Sequence, residues 1–266
     1  MKKKYIIKLL FIIGSFFLYS LILTSVFYNN FINKDAVYFL LGGICRVIFM
    51  ILVIWLILKE KTIQTSYLFK NWIICILIVI PIIYFSLSNT LKTFSELKLE
   101  GTNTLHSIFI FRNLSVGMLE ELMFRVLIFS YSFKIFSNKQ NNAFKQFIFT
   151  SVSFGLFHII NLNSPGDVAL FGVFNQIFMA MIIGIIFQFL LLRLENIAFI
   201  AIIHAFLNYN GDKNSLFGIE QTQIIESGNI NYLKLLVLPS IFLFIVTPIT
   251  YFSLKNQEIK LIKSDN

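Results

Sequence analysis

Charge is scarce in this chain. Asp, Glu, Lys and Arg make up 13% of its 266 residues, against about 25% in soluble domains. That excludes the solvated surface of an ordinary globular protein. Histidine occurs at three positions, and cysteine at two, Cys45 and Cys75, both inside apolar runs. Two isolated thiols give neither the paired spacing of a zinc site nor a disulfide framework, so both read as helix packing. Of the four prolines, Pro81, Pro239 and Pro248 fall within apolar runs. Kinks are tolerated there when neighbouring groups satisfy the freed backbone. There is no internal repeat and no low-complexity linker. There is also no His-Glu-x-x-His, the signature of zinc-dependent membrane peptidases.

What the chain has instead is apolar surface. It is 57% hydrophobic with a mean hydropathy of +0.80 and 32 phenylalanines, which defines an integral membrane protein. Abundant Phe, Ile, Asn and Lys suggest an AT-rich coding sequence, a low-GC bacterium, and its plasma membrane as the location. The net charge of +9 would raise nucleic acid as a partner in a soluble protein. Here the lysines sit in short loops, and no basic–aromatic interleaving of a nucleic-acid groove is visible. The lipid bilayer is the expected partner, and nucleic acid is not.

Eight apolar runs stand out, roughly 9–28, 36–58, 72–91, 107–131, 144–162, 167–192, 196–210 and 232–254. Most reach the ~20 residues that a membrane span needs. The first follows Met1-Lys-Lys-Lys and reaches Tyr28 with no small-x-small site, so it reads as a transmembrane helix rather than a cleaved leader. With the N-terminus inside, fourteen basic residues fall in cytoplasmic segments and five in outer ones, as the positive-inside rule requires. The sequence therefore predicts an all-α, polytopic membrane helix bundle of about eight spans, with both termini cytoplasmic. It reads as one domain, 1–266. The polar stretch 211–231 is expected as an outer loop of unassigned role.

The fourth run carries the costly residues. Glu120, Glu121 and Arg125 lie in apolar sequence, where each charge costs roughly 2.5 kcal/mol or more at the bilayer centre. Glu121 and Arg125 are four apart and share a helix face, so they are expected to pair. Glu120 is turned about 100° away on an ideal helix and remains the candidate base. The fifth run holds Phe154-Gly-Leu-Phe-His158 and the seventh His204-Ala-Phe-Leu-Asn208. His106, at the outer edge of the fourth run, reads as interfacial.

Each residue alone has a bland reading: a hydrogen-bonded packing histidine, or a structural ion pair. Together they are different, because polar groups on three spans must converge to avoid lipid. A Glu and a His can hold and deprotonate a water. His204 and Asn208 can donate hydrogen bonds to a developing oxyanion. Glu120, His158 and His204 can instead ligate zinc, and the chemistry alone leaves that open. Depth poses a test: at 1.5 Å per residue, Glu120 lies ~20 Å down its span and His158 ~21 Å up the next. In a core about 30 Å thick these miss by ~10 Å unless tilt or boundaries close the gap.

Glu-Glu-x-x-x-Arg at 120–125, Phe-x-x-x-His at 154–158 and His-x-x-x-Asn at 204–208, in that order on successive runs, resemble the CPBP family. That family includes the CAAX prenyl endopeptidases and bacterial Abi-type bacteriocin-processing or immunity proteins. The resemblance spans about 107–210, a protease-like core. It implies an eight-helix intramembrane endopeptidase in which Glu120 and His158 activate water and His204 and Asn208 form the oxyanion site. Glu121, Arg125 and Phe154 would support them. It implies a membrane-associated peptide or protein as substrate, as in pheromone or bacteriocin processing. The family is often labelled metalloprotease, yet its better-understood eukaryotic member resembles a metal-independent glutamate protease. No cofactor is expected, with zinc as the alternative. The competing functional readings are a non-catalytic immunity or regulatory protein that binds a peptide or sensor kinase, and a proton-coupled transporter. Against the transporter, no paired broken helices in matching halves are evident.

Overall fold

The computed structural model describes residues 2–30, 36–60, 70–77, 80, 84, 102–136, 142–163 and 169–216. Among these the chain is helical apart from short connections, and no β-strand occurs. Helix α1 covers Lys2–Asn30 and α2 covers Ala36–Lys59. Helix α3, Thr102–Glu121, runs without a break into a π-helical segment, Leu122–Ile128, and then α4, Phe129–Phe136. Helix α5, Asn142–Phe157, tightens into a 3₁₀ turn, His158–Asn163. Helices α6, Ala169–Leu194, and α7, Ile197–Leu216, follow.

Three of these helices are long and apolar enough to cross a membrane, over Lys3–Leu23, Leu40–Lys59 and Val173–Leu194. The outer faces of α1 and α2 expose Phe11, Ile48 and Leu58, a surface suited to lipid rather than water. The expected span 72–91 is described as helix over 72–77, and the span 232–254 lies outside the described residues. The sequence places the end of the seventh run at Asn208 and Asn210, but α7 continues to Leu216. Asparagine is only a weak helix breaker, and a helix already nucleated by packing carries through it. The expected outer loop at 211–231 therefore begins as helix, and its residues 217–231 lie outside the described residues. The run 144–162 also divides, because the α-helix stops at Phe157 and His158 opens the 3₁₀ turn.

Two junctions position the interior. Between α6 and α7, Glu195 takes the left-handed conformation at φ 52°. Asn196 then caps α7 by accepting the Phe199 N–H at 3.0 Å, satisfying one of the four free amides of a helix start. Its amide nitrogen donates to the Lys70 carbonyl at 2.7 Å, tying the turn to the chain after α2. At the end of α2, Glu60 gathers three elements. It accepts from Tyr131 Oη at 2.8 Å and Lys134 Nζ at 3.1 Å, with Lys8 Nζ at 3.7 Å.

Burial pushes the Glu60 carboxyl up, but the Tyr131 and Lys134 hydrogen bonds and the charges of Lys134 and Lys8 outweigh it. The net shift is downward. A depressed carboxyl stabilises the fold above its unfolded value, near 4.5, and loses that contribution as pH falls through the lowered value. Glu60→Gln is therefore expected to lower the melting temperature at pH 7, and the difference from wild type should shrink on acidification below that range. A constant difference across a pH series of thermal melts contradicts this.

Helices α3 and α7 cross closely enough to need a glycine. A Cβ at Gly117 would lie 2.6 Å from the Ala201 carbonyl oxygen and 3.0 Å from the Ala205 amide nitrogen. Both are backbone atoms and cannot swing aside. Small residues facing each other in this way let membrane helices approach. Gly117→Val is expected to separate the two helices at a cost of about 1–3 kcal/mol, read as a lower melting temperature. An unchanged melt argues against the close crossing.

Candidate active site

The Gly117 crossing sits one helical turn before Glu121, and the partner alanines flank His204. The consequence is a buried carboxylate–imidazole contact. His204 Nδ1 donates to Glu121 Oε1 at 2.7 Å, and Glu121 Oε2 lies 3.2 Å from Arg125 Nε. The Glu121 and Arg125 side chains are both fully buried, at 0% exposure. Arg125 belongs to the π-helical segment, every residue of which is buried. Such segments occur often at functional sites.

Glu120 occupies the other side of the imidazole. Its Oε2 lies 3.6 Å from His204 Nε2, beyond direct hydrogen-bond distance, and this oxygen is buried without a hydrogen-bond partner. The expected Glu121–Arg125 pair is present, but Glu121 has a second partner in His204 that helical spacing did not reveal. The two carboxylates therefore divide the two nitrogens of one ring.

Phe154 is the hub. The Arg125 guanidinium carbon lies 4.4 Å from its ring centroid, close cation–π geometry. His158 and His204 both meet that ring edge-to-face, with centroids 5.1 and 5.7 Å away. Phe124 and Phe187 complete the apolar wall, at 5.1 Å from Phe154 and 5.6 Å from His204 respectively. Phe154 bridges the depth counted between Glu120 and His158: His158 meets its ring directly, and so does His204, the neighbour of Glu120.

His158 Nδ1 lies 2.9 Å from the Phe154 carbonyl oxygen. A carbonyl only accepts, so Nδ1 carries the proton and a neutral ring presents Nε2 as an acceptor. The half-buried Asn208 lies one turn beyond His204 on α7, on the same side of the helix. His106 is on α3, and its side chain lies outside the described residues.

Zinc needs three convergent protein ligands in a catalytic site. Among the described residues no group of three His, Cys, Asp or Glu side chains is placed to hold a metal. Glu120, His158 and His204 are accordingly not grouped as a three-ligand set among the described residues.

Sequence reasoning did not find Gly117 or Phe187. The signal for the first was present: a lone glycine in a polar-bearing helix, opposite Ala201-x-x-x-Ala205. Phe187 is one of 32 phenylalanines, and nothing in its spacing distinguishes it.

The fold and the site define a helical membrane protein with an ionisable cluster enclosed by aromatic rings. Residues 102–210 match the Rce1-like family, type II CAAX prenyl endopeptidase Rce1-like. The match agrees with the CPBP resemblance of the motifs and likens residues 102–210 to CAAX-protease-like intramembrane proteases. All three motifs fall inside the matched stretch. No curated protein and no solved structure matches the chain.

Proposed function

We propose that this protein is an intramembrane endopeptidase of the bacterial plasma membrane. It has eight spans with both termini cytoplasmic, and it cleaves a membrane-associated peptide or protein with a water activated by glutamate and histidine. The observation that carries the reading is His204 between Glu120 and Glu121, with Glu121 anchored by fully buried Arg125.

Glu120 and His158 share the water. Glu120 Oε2 has no hydrogen-bond partner of its own, and the Nδ1–H to Phe154 leaves His158 Nε2 as an acceptor. As the water oxygen bonds to the peptide carbonyl carbon, Glu120 takes one of its protons. His204 and Asn208 donate to the oxygen that becomes negative. Glu120 then returns the proton to the leaving amine, and the C–N bond breaks. For Nε2 of His204 to donate while Nδ1–H is held by Glu121, the ring must be an imidazolium. Two carboxylates, one guanidinium and one imidazolium then sum to zero, the arrangement least costly in a low-dielectric interior.

Peptide pheromones, bacteriocins and membrane regulators of surface traits are the substrate classes that suit a bacterial relative. Comparative peptidomics of membranes holding wild type or Glu120→Ala, with and without a chelator, tests the reading. Peptides that depend on Glu120 and resist the chelator are expected. Identical peptidomes overturn the reading in favour of a non-catalytic immunity or regulatory protein.

A further inference from the structure

Beyond the site, one seam of the bundle is more polar than its packing requires. Gln146, Thr150 and Ser151 on α5 and Gln188 on α6 are buried at 0–1% exposure. Thr150 is satisfied, its hydroxyl donating to the Gln146 backbone carbonyl. The others are not. Both amide atoms of Gln146, both of Gln188, and Ser151 Oγ are buried without a hydrogen-bond partner. Exchanging amide N for O in either glutamine changes nothing, because both atoms of each are unpartnered. Buried polar side chains in folded proteins bond to protein or to water.

These groups form one line. Helices α5 and α6 are antiparallel, with Gly155 against Ile177 and Met181, and Ser151 against Gly184. Continued, that register puts Gln146 level with Gln188, one turn past Gly184. A Cβ at Gly184 would lie 3.2 Å from Ser151 Cα and Cβ, so the glycine keeps the seam narrow at its inner end. On its other side α5 meets the helix of Arg125, with Phe147 on Phe129 and Phe154 on Phe124. That second register brings Ser151 level with Arg125, whose Nη1 and Nη2 are also buried without hydrogen-bond partners. The line runs from the bundle end that carries Lys145 and Arg193, through Gln146 and Gln188, to Ser151 and the Arg125–Glu121 pair.

We infer that this seam binds a file of water molecules leading from the Lys145/Arg193 end of the bundle to the Arg125–Glu121 pair. Each amide and hydroxyl offers both a donor and an acceptor, the pattern a water chain requires, and buried water typically bonds to about three such otherwise unpartnered groups. A cation is disfavoured by the guanidinium at the inner end. The water site stands on these side chains alone. Its role in supplying the hydrolytic water rests on the proposed peptidase activity.

Radiolytic hydroxyl labelling of the full chain in lipid nanodiscs, read by mass spectrometry, tests it. The method marks side chains that lie against bound water. Phe147, at 0% exposure beside Gln146, is expected to label well above Phe16, at 2% exposure in the aromatic cluster of α1 and α2. Labelling of Phe147 at the level of Phe16 overturns the inference, and this needs no variant. In Gln146→Leu/Gln188→Leu, or in Gln188→Met where the double variant fails to fold, the labelling should be lost without a fall in melting temperature. Retained labelling contradicts the assignment. Against a substrate found by peptidomics, the same variant should lower kcat about tenfold at unchanged KM. Unchanged kcat with lost labelling removes the supply role and leaves the water site. Labelling as expected with no peptidase activity overturns the peptidase reading instead.

Discussion

Glu120→Gln is expected to abolish peptide cleavage while the protein still inserts and folds. The substitution keeps the shape of the side chain and removes the base. A positioned general base contributes typically 10²–10⁴-fold, and loss on that order is expected in single-turnover assays of a reporter peptide. Folding should be spared for structural reasons. Glu120 keeps some exposure, 15% of its side chain, and the ion pair in its helix is made by its neighbour. His204 remains held through Nδ1 by Glu121, and by giving up its Nε2 proton it keeps the cluster neutral without the Glu120 charge. The melting temperature should therefore stay close to wild type. Turnover equal to wild type would exclude Glu120 as the base, and it would favour a protein that binds its peptide without cutting it.

Arg125→Ala is expected to act in the opposite way, through stability first. The guanidinium and the Glu121 carboxylate are both at 0% exposure. Removing one partner of a buried pair costs about 3–5 kcal/mol, because the other charge is left uncompensated. Phe154 also loses the cation on its ring face, an interaction worth up to about 2 kcal/mol when desolvated. Arg125→Lys should recover part of the loss by restoring the charge without the planar guanidinium. Thermal unfolding of the three proteins in one detergent measures the series. A wild-type melt for Arg125→Ala would show that the pair does not hold the fold together. Glu120 and Arg125, five residues apart in one helix, are thus separated by the kind of damage each causes.

Membrane class was legible from composition, because 57% hydrophobic residues and 13% charge leave no other stable environment for the chain. The motif residues were legible for a related reason. Glu, Arg and His in apolar runs stand out because lipid penalises them, and a spacing of four placed Glu121 on Arg125. Helix ends were less legible. The continuation of α7 through Asn210 and the stop of α5 at Phe157 depend on what each helix packs against, and propensity registers that only weakly.

The sequence by itself determined the solvent of this protein and the identity of its ionisable groups. Both follow from transfer costs that each residue bears wherever it ends up. It also determined the Glu121–Arg125 pair, because one helical turn is a local distance. Only the tertiary structure decided which carboxylate faces which nitrogen of His204. That depends on two segments 83 positions apart, brought into contact where Gly117 lets α3 settle onto Ala201 and Ala205.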